Sequence, residues 1–133
     1  MPTKRVFVVG LEYYLRQMKL RGCARDAKRM EKALRTFFGF NRRDIRLMVD
    51  AYRRRYGGGR RRPRRHLTQN HICRAILKII ADAQPANTLL VYLFGHGGLC
   101  WPSRNNQYTN EFFVTPTGRV SDLFFREALK SHP

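Results

Sequence analysis

A chain of 133 residues is the size of a single domain and long enough to bury about two thirds of its extended surface. Its hydrophobic content of 43% supplies a real core, while no run reaches the roughly 18 apolar residues that a membrane-spanning helix needs. The 27 Lys and Arg against 9 Asp and Glu leave a formal charge of +18, an excess that a globular fold rarely needs and that points to anionic partners.

The start, "MPTKRVFVVGLEYY", has too few apolar residues before Glu12 for a secretory signal. Cys23, Cys73 and Cys100 have neither the spacing of a disulfide framework nor that of a zinc site, so no metal ligand set is predicted. A reducing compartment follows, the cytoplasm, with the nucleus as the alternative.

"RVFVVG", Arg5 to Gly10, reads as a first buried strand closed by glycine. In the next segment Ala27, Met30, Ala33, Leu34, Phe37 and Phe38 recur at steps of three or four, which predicts a helix with one apolar and one basic face, ended by Gly39. "DIRLMVD", Asp44 to Asp50, reads as a second strand.

Tyr52 to His66 then carries Arg53, Arg54, Arg55, Arg60, Arg61, Arg62, Arg64 and Arg65 with no acid, around three glycines and Pro63. Like-charge repulsion and glycine entropy predict a mobile insert able to bind nucleic acid without sequence preference, or another acidic partner. A plain solvated loop is the competing reading.

A second helix is predicted from Thr68 as N-cap, with Ile72, Ala75, Ile76, Ile79 and Ile80 on its apolar face and Pro85 as the stop. A third strand follows in "TLLVYLF", and His96 stands at its end before Gly97 and Gly98, which permit a tight turn that presents the ring. A histidine beside an apolar run is more often a hydrogen-bonded structural residue than a catalyst. Its place in the fold argues otherwise.

Strands separated by helices make a parallel sheet with right-handed crossovers and helices on both faces. Ligands bind such sheets beyond the carboxyl ends of the strands, where the strand order reverses. With the first strand between the other two, His96 and the loop carrying Cys23 and Asp26 converge on one mouth.

"VVGLEYY", "LRGCARDAKRMEKALRTFFGF" and "LTQNHICRAILKIIADAQPANTLLVYLFGHGG" resemble, in order and spacing, the first strand, the "LRGCxND" helix, the second helix and the "YSGHGG" strand of caspase-like cysteine peptidases of the metacaspase branch. The resemblance spans roughly Lys4 to Gly98. Departures are "FGHGG" for "YSGHGG", Arg25 where the family usually has Asn, and the arginine insert. It implies a three-layer caspase-like α/β fold, one domain over 1–133, incomplete at its C-terminus.

It further implies that His96 is the histidine of a cysteine-type endopeptidase dyad, that the N–H of Gly97 helps hold the oxyanion, and that Asp26, with Cys23 packed nearby, selects Arg or Lys before the cut bond of a peptide or protein substrate. The competing reading of Asp26 is a first-turn acid that favours the helix dipole. The family's nucleophile lies in a "DSCHSG"-like motif about 50 residues beyond the histidine, further than Pro133. Cys100 is too close to His96 to replace it.

The last segment resembles the stretch before strand four, with "VSDLFFREAL" as its helix. Calcium activation, known in the family, would need six to eight oxygen ligands, and the acid cluster that usually follows "SGHGG" is lacking, so no cofactor is predicted. The expectation is a peptidase domain inactive alone, completed by a second chain. The alternative is a non-catalytic binding module that works through its basic insert.

Overall fold

The computed structural model describes residues 3–12, 20–50, 67–100 and 110–131. The arginine insert lies outside them. Three parallel strands form the first sheet in the order β2-β1-β3: β1 (Lys4–Gly10), β2 (Ile45–Val49) and β3 (Thr88–Phe94). Helices α1 (Cys23–Phe37) and α2 (Gln69–Ala81) make the two crossovers.

Alternation along β1 divides the core into two layers. Val6 and Val8 pack with Ala27 and Leu34 of α1, whereas Phe7 and Val9 pack with Ile72, Ala75, Ile76, Ile79 and Ile80 of α2. Every one of these β1 side chains is fully buried, because a central parallel strand is covered on both faces.

α2 matches its predicted boundaries. Its N-cap Thr68 accepts from the His71 N–H through its hydroxyl, and His71 Nδ1 accepts from the Thr68 N–H. α1 differs at its end. Phe37 and Phe38, expected on the buried face, are 77% and 62% exposed. Gly39 takes φ +67° and turns the chain so that the Phe40 N–H donates to the Leu34 carbonyl, and Phe40 enters the core in their stead.

Beyond His96 the chain forms a second, antiparallel sheet from β4 (Gly97–Cys100), β5 (Asn110–Thr115) and β6 (Gly118–Ser121), followed by α3 (Asp122–Lys130). Phe113, Val120 and Ala128 join the α2 layer of the core. Gln69 fixes the hairpin to the start of α2: its backbone N–H donates to Thr117 Oγ1 and its side-chain amide to the Arg119 carbonyl.

Gly97 and Gly98 are therefore strand residues and not the expected tight turn; among the described glycines only Gly22 and Gly39 have positive φ. A Cβ on Gly98 would lie 2.5 Å from the Phe112 ring, which would have to shift to admit it. Cys100 likewise ends strand β4, with Asn110 opposite it, and does not sit in a turn.

Candidate active site

The carboxyl ends of the three parallel strands form one row, because Gly10 is in register with both Val49 and Phe94. Asp50 follows Val49, and His96 stands two residues beyond Phe94. The start of α1 lies on the same end. It comes so close to β1 that a Cβ on Gly10 would meet the Cys23 carbonyl oxygen at 2.6 Å and the Ala27 Cβ at 2.9 Å. Only glycine admits this approach.

Two carboxylates hold the mouth together. Gly22, the N-cap of α1, has φ +98° and no side chain with which to cap. Glu12 supplies the missing acceptor: its Oε1 receives the Gly22 N–H at 2.9 Å and the Ala24 N–H at 3.0 Å. The Glu12 N–H donates to Asp50 Oδ1 at 2.8 Å, and the Asp50 N–H to the Gly10 carbonyl at 3.2 Å. Asp50 is 2% exposed. Buried carboxylates persist where they are hydrogen-bonded in this way.

Neither Glu12 nor Asp50 was among the candidate residues. The available signal was an acid just past the end of an apolar strand, in "VVGLE" and "LMVD".

Cys23 is the first residue of α1 and half-buried. Burial pushes its thiol above the ordinary range, and the charges of Glu12, Asp26 and Asp50 push it further. A thiol so placed stays protonated near neutrality, which disfavours nucleophilic chemistry there.

Asp26 occupies the first turn of α1 with its side chain 49% exposed, and the guanidiniums of Arg25 and Arg29 each lie 4.0 Å away. Its surroundings are thus more open than a desolvated pocket would be, and such exposed pairs are worth about 0–1 kcal/mol. They leave the carboxylate able to exchange for another guanidinium.

His96 is half-buried between β3 and β4, and its carbonyl accepts the Val114 N–H at 2.8 Å. In an antiparallel ladder that bond brackets a non-hydrogen-bonded pair, Gly97 opposite Phe113. The Gly97 N–H consequently points away from β5. Among the described residues no group of three or more His, Cys, Asp or Glu side chains stands together as a metal site. The arginines expected to bind nucleic acid, from Arg53 to Arg65, lie outside the described residues.

The profile of the metacaspase, peptidase C14 domain family matches residues 4–119. The chain belongs to the metacaspase family. It is 30% identical over 96 residues to metacaspase-1A of Aspergillus oryzae, covering 72% of this chain and 21% of that protein. To metacaspase-1A of Aspergillus terreus it is 32% identical over 95 residues, covering 71% and 22%. The chain thus spans about a fifth of the length of these curated relatives. A solved structure of a Geobacter sulfurreducens protein superposes with TM-score 0.63 at 18% identity, over 96% of this chain and 45% of that one. That likeness concerns the fold alone.

The three-layer arrangement is caspase-like, with α1 on one face of the parallel sheet and α2 on the other. No helix among the described residues is long and apolar enough to cross a membrane.

Proposed function

We propose that this chain is the histidine-bearing part of a metacaspase-type cysteine endopeptidase that cuts after Arg or Lys once another segment supplies the nucleophile. The observation that carries the reading is that the β3 end, with His96 and Gly97, and the α1 start, with Cys23 and Asp26, both stand at the carboxyl end of the parallel sheet.

In this reading His96 takes the proton of the incoming cysteine as sulfur bonds to the substrate carbonyl carbon. It returns a proton to the amine as the carbon–nitrogen bond breaks. The N–H of Gly97 holds the oxyanion between these steps, a contact worth about 3–4 kcal/mol when lost. Asp26 binds the substrate cation by charged hydrogen bonds.

The edge of β3 supports a docking place for such a segment. Its sequence is apolar on both faces, as in a central strand, yet among the described strands it pairs only with β1 and its side chains stay half-exposed.

The test assays Arg- and Lys-containing peptides with the isolated chain, and with the chain co-expressed beside any neighbouring or continuing reading frame that encodes a "DSCxSG"-like segment. The isolated chain is expected to be silent with or without calcium. The pair should cleave, with activity lost in His96→Ala and basic preference weakened in Asp26→Ala. Turnover by the isolated chain that disappears in Cys100→Ala would overturn the reading.

A non-catalytic binding module working through the insert is the second reading, favoured by eight arginines without one acid between Tyr52 and His66. Duplex affinity that falls with salt and disappears on deletion of Arg53 to Arg65, in a chain silent in every peptidase assay, would favour it.

A further inference from the structure

The parallel sheet has a second edge, opposite that of β3. Among the described strands β2 pairs only with β1, so its outer side presents N–H and C=O groups on which a further strand can form. Unlike β3, this strand carries a cation: Arg46 is exposed, while Ile45, Leu47, Met48 and Val49 are half-buried.

Two recesses open where the chain enters β2, one on each face of the sheet. On the α1 face a recess of about 630 Å³ is bordered by Lys32, Arg35 and Arg42, with Glu31 its one acid. On the α2 face a recess of about 510 Å³ is bordered by Arg5, Arg43, Arg46 and Lys78, with Asp44 and Asp82. Both of these acids are engaged: Arg5 and Lys78 lie 3.4 Å and 2.9 Å from Asp82, and Asp44 accepts the Asn41 N–H at 3.1 Å. Among the described residues Lys32, Arg35, Arg42, Arg43 and Arg46 enter no ion pair. All five are exposed.

Cations on both faces of one strand edge narrow the class of partner. A bilayer or a nucleic acid backbone laid on the surface meets one face of a sheet at a time, and neither has a row of N–H and C=O groups to complete the edge. A strand added in the plane of the sheet does both. Its successive side chains point to opposite faces, so neighbouring acids of one extended peptide reach the two recesses while its backbone pairs with β2. Protection against aggregation is the competing account of a charged edge, and it asks for a charge on the edge strand. Arg46 alone would supply that. Lys32 and Arg35 on α1, and Arg42 and Arg43 in the turn before β2, lie off the strand and are left unexplained by it.

We propose that the outer edge of β2 is a docking site for an extended acidic segment of another protein, added to the sheet as a strand. A second copy of this chain is a poor source, because none of its nine Asp and Glu is adjacent to another in sequence. The inference is independent of the peptidase reading. The two recesses lie at the amino end of β2, away from the strand ends that carry His96.

The test measures the fluorescence anisotropy of a labelled peptide of about ten residues, built of Val, Thr and Glu with neighbouring glutamates at its centre, against the full chain across a salt series. Two derivatives carry the same number of backbone N-methyl groups and the same charge. In one the methyl groups sit on alternate residues, which leaves one edge of the peptide able to bond; in the other they sit on consecutive residues, which blocks both edges. The alternate derivative should bind like the parent peptide, and the consecutive one roughly tenfold more weakly. Lys32→Gln with Arg35→Gln, on one face, and Arg43→Gln with Arg46→Gln, on the other, should each weaken binding roughly fivefold, and the two effects should multiply when combined. The substituted side chains are exposed, so circular dichroism should be unchanged. A chain lacking Arg53 to Arg65 should bind more weakly at low salt and still distinguish the two derivatives.

Equal binding of the two methylated derivatives would overturn the proposal and reduce the edge to a charged surface. A response to the variant on one face alone, loss of all binding with the deletion, or a full chain that does not bind the parent peptide at low salt would overturn it as well.

Discussion

The two crossover helices differ in how their first turns are held, and the difference separates scaffold from site. α2 caps itself: Thr68 and His71, three residues apart, satisfy each other's backbone. α1 begins at a glycine and takes its cap from Glu12, ten residues earlier, which is tied in turn to Asp50 at the end of β2. A self-capped helix forms wherever its apolar face finds a sheet. A helix capped from a distance is fixed relative to the strand ends that cap it, so the positions of Cys23 and Asp26 depend on Gly10, Glu12 and Asp50.

The largest effect should come from closing the space on which the α1 arrangement rests. Gly10→Ala drives a methyl group against the Cys23 carbonyl and Ala27, and overpacking of this kind costs about 3 kcal/mol. Urea denaturation should show it as a lower midpoint with an unchanged slope. Next comes the cap itself: Glu12→Ala removes two charge-assisted hydrogen bonds, about 2 kcal/mol, against about 1 kcal/mol for Thr68→Ala. Hydrogen exchange sharpens the contrast. Loss of Glu12 should speed exchange at the first turn of α1 and leave α2 protected, and loss of Thr68 should do the reverse.

The smallest effect is on a thiol. Burial, then the charges of Glu12, Asp26 and Asp50, raise the Cys23 pKa, whereas Cys73 in α2 is raised by burial alone. Alkylation of Cys23 should therefore begin at higher pH than for an ordinary thiol. Glu12→Gln should move that onset downward and leave Cys73 unchanged. With its folded-state pKa above the unfolded one, Cys23 contributes stability that is fully present below the ordinary thiol range and is lost as pH rises through the folded value. Cys23→Ser should reduce the alkaline loss of stability.

What could be read from the residues was whatever a contiguous pattern encodes. α2 was legible to its cap, because its five apolar positions, Thr68 and Pro85 all lie within one segment, and β1 and β3 were legible as apolar runs. His96 could be assigned to the mouth because strand order decides which ends meet. The Glu12–Asp50 link could not, since its members are 38 residues apart and nothing local marks a carboxylate as a cap for another segment. Phe37 and Phe38 continue the periodicity of α1 in sequence, but the Gly39 turn gives their place to Phe40. Gly97 and Gly98 were assigned to a turn on conformational freedom, while the property used at Gly98 is the absence of a Cβ against Phe112. β5 and β6 form a tight hairpin, but β4 is short and sets Gly97 opposite Phe113, a partner that no local pattern marks.

The half-covered strand β3 makes timing a variable in the life of this protein. Among the described strands β3 pairs only with β1, and an apolar strand with an open backbone edge accepts other strands with little discrimination, so whichever one reaches it first after synthesis decides between assembly and aggregation. Yield in soluble form should therefore depend less on temperature than on whether a complementary strand is made at the same time and place.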